Sequence, residues 1–335
     1  MTTIRIATAD GSLCAVVTAR RSLRYAGGSD DHTDRPAHVR AASSLAWIDD
    51  QIALVQDDTN FVALVDPHGG DVRAVALPRG EGGVRQFDDT RGNKRYKLDL
   101  EACVSVTDHH GPALLAFGSG STQRRRQVAT IDRWHLATPR VQVADATLLY
   151  KRLEAERAFA GSDLNIEGVI VAANVLRFFG RGNGTARGDL MAVNATCDVP
   201  LDALRAFLRN PASTTPPDPT AVVQYQLGAL DGIALGFTDA TVFGETMLYS
   251  ATAEASANAT EDGPVAGSVL GTISPRGIVR YAMLTNDTGL PFREKVEGVL
   301  LSPTSPRRAC IVIDGDDATR PSELCDVELI GSWTD

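Results

Sequence analysis

One short design recurs five times in the 335-residue chain: a polar residue, a small residue, then an apolar alternation. No other feature restricts the fold as much. It occupies residues 42–47, 99–104, 165–170, 237–242 and 295–300, and the polar positions Ser44, Glu101, Glu167, Asp239 and Glu297 align at separations of 57, 66, 72 and 58. A second apolar burst follows each time, at 52–55, 113–117, 175–179, 246–249 and 309–313, and ends in small or polar residues. A unit of about sixty residues and four short strands cannot bury both faces alone, so it must stack beside its neighbours around an axis. The sequence therefore predicts an all-β fold, a β-propeller with five blades favoured. Six blades are the alternative, because the first forty residues hold more strands than closure needs. Two β-sandwich domains are the competing architecture. Residues 1–335 read as a single propeller domain, its ring closed by N-terminal strands near 4–8 and 13–18 that complete the blade begun at Glu297.

Only two stretches carry helical spacing, 146–160 and 201–208, and they fall in the two longest intervals of the repeat. Both read as short insertions between strands. The Pro-rich stretch 211–219 is a loop beside the second, since the strand pattern resumes unchanged after it. Trp47, Trp134 and Trp333 do not recur at blade spacing, which separates the chain from WD-type arrays.

Composition narrows the partners. Thirty-three Lys and Arg stand against 42 Asp and Glu, a formal charge of −9 that argues against nucleic acid. The apolar stretch 169–173 falls far short of the roughly 18 residues of a membrane span, so no membrane partner is expected. The N-terminal residues enter strand alternation directly, without the apolar core of a secretion signal, and five cysteines without a C-x-x-C pair fit reduced thiols. A cytoplasmic location is the expectation.

In a propeller the inner strand of each blade starts at the mouth of the axial channel and the second strand returns to it. Glu101, Glu167, Asp239 and Glu297 should then form an inner ring, with Asp57, Asp58, Asn60, Ser119, Arg181, Asn183, Glu254, Asp314 and Asp316 as the rim. Converging carboxylates raise one another's pKa unless a cation neutralises them. Oxygen-only donors favour Ca²⁺ or Mg²⁺ over zinc, and the only histidine pairing is His109–His110, adjacent in sequence. The expected metal ligands are Glu167, Asp239 and Glu297. In the alternative, these acids hydrogen-bond backbone amides and hold neighbouring blades in register.

Asn165-Ile166-Glu167-Gly168, Phe179-Gly180-Arg181-Gly182-Asn183 and Lys295-Val296-Glu297-Gly298 resemble motifs of uncharacterised bacterial propellers. The likeness extends over most of the chain, including 235–240 and 262–268. Those families are similar to phytase-like esterase propellers. More distantly, the Glu-Gly at an inner-strand start resembles the gluconolactonase and senescence-marker family, which implies a divalent metal on axial acids and lactone hydrolysis. Here the Glu-Gly lacks the Pro that follows it in the lactonase pattern.

The functional expectation is a divalent-metal-dependent hydrolase of a small ester, lactone or phosphate. Glu101 or Asp57 would activate water and Arg181 would stabilise developing negative charge. Asp58, Asn60, Ser119, Asn183, Glu254 and Asp314 would contact the ligand. The alternative is a non-catalytic scaffold binding a small molecule or a protein partner across the same face; a third reading is a sensor whose partner affinity follows ligand occupancy. Asp314-Gly315-Asp316-Asp317 lacks the spacing of an EF-hand, and 118–126, though Gly- and Arg-rich, reads as a strand connection rather than a phosphate cradle. No G-x-S-x-G elbow is present.

Overall fold

The apolar bursts become short strands because β-branched and small residues alternate between Gly-, Asp- and Asn-rich turns. The computed structural model describes residues 2–108, 111–255 and 263–334 and is mostly β. The His109–His110 pair and Asp262 lie outside the described residues. The chain opens with β1 (Thr3–Ala9) and β2 (Cys14–Ser22). Two antiparallel meanders follow, β3 (Ala42–Ile48) to β6 (Arg73–Ala76) through β4 (Gln51–Gln56) and β5 (Phe61–Val65), then β7 (Leu100–Asp108) to β10 (Arg140–Asp145) through β8 (Gly111–Gly118) and β9 (Gln127–Asp132).

Two helices, α1 (Thr147–Ala155) and α2 (Arg157–Ala160), precede the third meander, whose strands are β11 (Ile166–Ala172), β12 (Val175–Gly180), β13 (Asn194–Pro200) and β14 (Thr220–Gln226). The single helical insertion expected at 146–160 is broken at Glu156, where ψ is 85° and the side chain accepts from the Ala158 amide. Helix α3 (Leu201–Arg209) separates β13 from β14 and buries Leu201, Leu204 and Phe207 on one face. After the short β15 (Ala229–Leu230) comes the fourth meander, β16 (Ile233–Phe243), β17 (Thr246–Glu254), β18 (Val265–Ile273) and β19 (Val279–Asn286). The fifth comprises β20 (Val296–Leu301), β21 (Arg308–Ile313) and β22 (Glu323–Ile330), and its fourth strand is β2, antiparallel to β22 with Cys14 opposite Ile330.

The first strands pack in turn, β3 on β7, β7 on β11, β11 on β16, β16 on β20 and β20 back on β3. Packing links these strands in a circuit; among the described residues no hydrogen-bonded sheet closes on itself. Apolar side chains follow the same order, in five clusters that each lie between consecutive meanders. The cluster holding Leu45, Leu54, Leu300 and Val312 joins the last meander to the first. Between the third and fourth, Phe237 meets Phe179, Tyr225 and Tyr249 edge-on with ring centres 5.2 to 5.3 Å apart.

The N-terminal strands lace the outer edges together. Residues Thr3–Ile6 of β1 pair parallel with β14, Ala7–Ala9 pair parallel with β19, and Ala15–Val17 of β2 pair parallel with the far end of β19. Three consecutive meanders are thereby joined at the rim. The five cysteines are free thiols, three of them buried. No helix among the described residues is long and apolar enough to cross a membrane.

Candidate functional site at the converging strand starts

Each first strand carries a β-bulge, near its start in four of them and at the middle of β16, where pairing skips between Ala42 and Leu45, Leu100 and Ala102, Ile166 and Gly168, Phe237 and Asp239, and Val296 and Gly298. A bulged residue is unpaired and its side chain is re-aimed out of the pleat. The bulged residues are Ser43 and Ser44, Glu101, Glu167, Thr238 and Glu297. Three of the recurring acids thus occupy one structural position.

The fourth repeat departs from the sequence alignment by one residue, because Thr238 stands in the bulge and Asp239 follows it. The Asp239 carboxylate accepts from Ser44 Oγ at 3.2 Å and from the Val299 amide at 3.0 Å, with further backbone donors at Ala240 and Leu45. Ser44 Oγ in turn accepts from the Cys103 amide at 3.1 Å. Asp239 is 1% exposed, a tie between meanders rather than a member of the mouth. Gly168 completes the junction: a Cβ there would lie 3.1 Å from the Asp239 backbone, and one at Gly298 would lie 2.8 Å from the Ser43 carbonyl. The Glu-Gly motif therefore couples a bulged acid to a close approach of adjacent strands.

Glu167 and Glu297, distant in sequence, lie 3.7 and 3.9 Å from Arg181 Nη1. Arg181 Nη2 donates to Glu254 at 2.6 Å. Lys295 Nζ lies 3.2 Å from Glu297 and 2.9 Å from Asp316. On the other side Lys97 contacts Asp57 and lies 2.8 Å from Asp99, which also pairs with Arg125 at 2.9 Å and accepts from Ser119. Arg40 pairs with Asp58 at 2.6 Å and reaches Asp88 at 3.3 Å. Where the sequence suggested a metal to neutralise the acids, with bonds to backbone amides as the alternative, side-chain cations stand beside them. Sequence reasoning missed Lys97, Asp99 and Lys295 as site residues. Asp99, Asn165 and Lys295 each stand two residues before a bulged acid, a recurrence visible in the sequence.

The expected rim divides. Asp57, Asp58 and Asp314 line a cavity of about 280 Å³ together with Asp88, Lys94 and Asp316. Asn60 instead holds the following loop, donating to the Pro78 carbonyl at 2.8 Å. Ser119 is buried against Asp99. Asn183 accepts from Asn165 at 3.3 Å, and Asn165 also donates to Glu167 at 2.6 Å.

Burial and like charge set the protonation. Burial pushes Glu167 up to about 8, with Arg181 opposing and Glu297 reinforcing. It pushes Asp57 up to about 7 against the pull of Lys97, and Glu101 well above the ordinary range, reinforced by Asp57 and Asp99. Asp99 goes the other way, because Lys97 and Arg125 together outweigh its burial and hold it below the usual carboxylate range. One oxygen from each of Asp57, Asp99 and Glu101 lies within 4.8 Å of the others, the only such group of potential metal ligands among the described residues. Glu167, Asp239 and Glu297 form no such group. The trio offers oxygen donors alone, suited to Ca²⁺ or Mg²⁺, but the Lys97 ammonium already contacts two of its members.

A model described as a family of unknown function, DUF6929, matches residues 38–329. No curated protein matches the sequence. Similar solved structures include a GH43 β-1,3-galactosidase at 8% identity and a TM-score of 0.46, with 92% of this chain aligned and 59% of that one. Others are a gluconolactonase assigned by family, at 10% identity, a TM-score of 0.38 and 98% and 96% coverage, and the GH93 α-L-arabinofuranosidase of Fusarium graminearum, at 8%, 0.38, 92% and 97%. This chain spans just under three fifths of the galactosidase's length.

Proposed function

Since the chain belongs to DUF6929, a family without a known activity, its function has to come from the site, and we propose a small-molecule hydrolase acting at the acidic mouth of a five-bladed β-propeller. The five meanders are then the blades, and β2 closes the ring by completing the fifth. Neighbouring carboxyl groups driven to opposite protonation states support acid–base chemistry, and Asp57, Asp99 and Glu101 supply them within 4.8 Å.

For a small ester or lactone, Asp57 takes a proton from water, whose oxygen attacks the acyl carbon. Lys97 stabilises the tetrahedral oxyanion. Protonated Glu101, without a hydrogen-bond or ion-pair partner among the described residues, gives its proton to the departing alkoxide as the acyl C–O bond breaks. Asp57 then returns the proton to Glu101 through solvent. Arg181 pairs with Glu254, Glu167 and Glu297, none of them in the trio, whereas Lys97 contacts two of its members, so the electrophilic role falls to Lys97. The acidic mouth and net charge of −9 oppose nucleic acid as a ligand.

Chromogenic acetate and butyrate esters and aliphatic lactones test this. Turnover should rise with an apparent pKa near 7, the value of Asp57. Asp57→Asn and Glu101→Gln should each lose about 10²-fold or more in kcat with unfolding midpoints preserved. Inactivity of the wild type across the panel would leave a binding scaffold. The same trio favours a second reading, a divalent ion that displaces the Lys97 ammonium. Calorimetry with Ca²⁺ and Mg²⁺ on chelator-treated protein separates the two: heat that disappears in Glu101→Gln supports the ion, and no heat supports Lys97 as the working cation.

A further inference from the structure

The first strands begin at the acidic mouth and end at the opposite face, where the turns after β11, β16 and β18 surround a cavity of about 520 Å³. We propose that this cavity is a second small-molecule site, which seats a monocarboxylate on an apolar stem against Arg5. The proposal is independent of hydrolysis at the mouth, because none of the residues lining this cavity belongs to the acidic trio or to the cavity beside it.

Its floor is apolar, with Ile170, Val175 and Met247, and its volume falls in the range of small-ligand pockets. Arg177, also in the wall, is already neutralised by Asp198 through bonds of 2.6 and 2.7 Å. Arg5 is different: among the described residues its guanidinium has no hydrogen-bond or ion-pair partner, although it is only partly exposed. It packs closely on Gly277, where φ is +84° and a Cβ would come within 2.5 Å of Arg5 Cζ. Half-buried guanidinium groups gain most from bidentate carboxylate. The exposed Glu245 at the rim adds negative charge that disfavours a dianion such as phosphate.

Calorimetry on the full chain with sodium hexanoate, 1-hexanol and inorganic phosphate tests the site. Hexanoate should bind saturably in the millimolar range, about tenfold or more weaker in Arg5→Gln and less weakened in Arg5→Lys, while Asp57→Asn leaves it unchanged. In parallel, hexanoate should shift the Met247 methyl resonance and leave Met191 and Met283 unmoved, a readout that does not depend on any variant folding. Hexanol binding as well as hexanoate, phosphate binding tighter, unchanged affinity in Arg5→Gln, or a silent Met247 would each overturn the proposal.

Discussion

A carboxyl group raised to about 8 inside a fold, as at Glu167, makes stability depend on pH in a defined direction. The unfolded chain releases this proton near the ordinary glutamate value while the native state keeps it. The contribution is therefore fully present below about pH 4.3 and is lost as pH rises toward 8. Glu167→Gln removes that loss. Urea unfolding should show the variant close to wild type at pH 5 and more stable by on the order of a few kcal/mol at pH 8, with most of the change between these values. A gap that is flat with pH would mean that Arg181 and Lys295 hold Glu167 ionised throughout. Asp239 makes the contrasting point at the same scale. Its sequence repeat resembles that of Glu167, yet a one-residue offset from the bulge places it against amides and a serine hydroxyl rather than beside the cations.

Elements show what the sequence carries and what it does not. The recurrence of 99–104, 165–170 and 295–300 marks three first strands, and the small or polar ends of the second bursts mark the returns to the mouth. A bulge leaves no period of its own, so the shift from Asp239 to Thr238 was not legible; it comes from local backbone geometry set by neighbouring strands. The cations were legible only in part. Lys295 belongs to the repeat and lies beside Glu297, two residues on, whereas Lys97 arrives from the loop before β7 and meets Asp57 through tertiary packing alone. The N-terminal strands differ in a testable way. β1 is largely exposed, with Ile4 and Ile6 at 55% and 66%, while β2 buries Ala15 and Val17 in the core. Deleting residues 2–10 should leave a folded protein whose melting temperature falls by several degrees, and deleting 2–22 should abolish cooperative unfolding, as read by circular dichroism. Equal effects of the two deletions would refute the distinction.

At the scale of the whole molecule, five interfaces between consecutive meanders bring acid-bearing strand starts together in a chain with charge −9. A field of that sign repels anionic substrates before any contact forms. Among matched chromogenic esters, a dicarboxylate half-ester should show kcat/KM about tenfold or more below its neutral counterpart at low salt, and the difference should shrink at about 0.5 M NaCl. A difference insensitive to salt would place the discrimination in direct contacts instead. The pairing of Cys14 with Ile330 carries a last consequence for biosynthesis. β2 leaves the ribosome some three hundred residues ahead of β22, the strand it must join, so the nascent chain holds an apolar edge without that partner while the intervening strands are made. Slowing elongation would lengthen that interval, and chaperone dependence should rise with it.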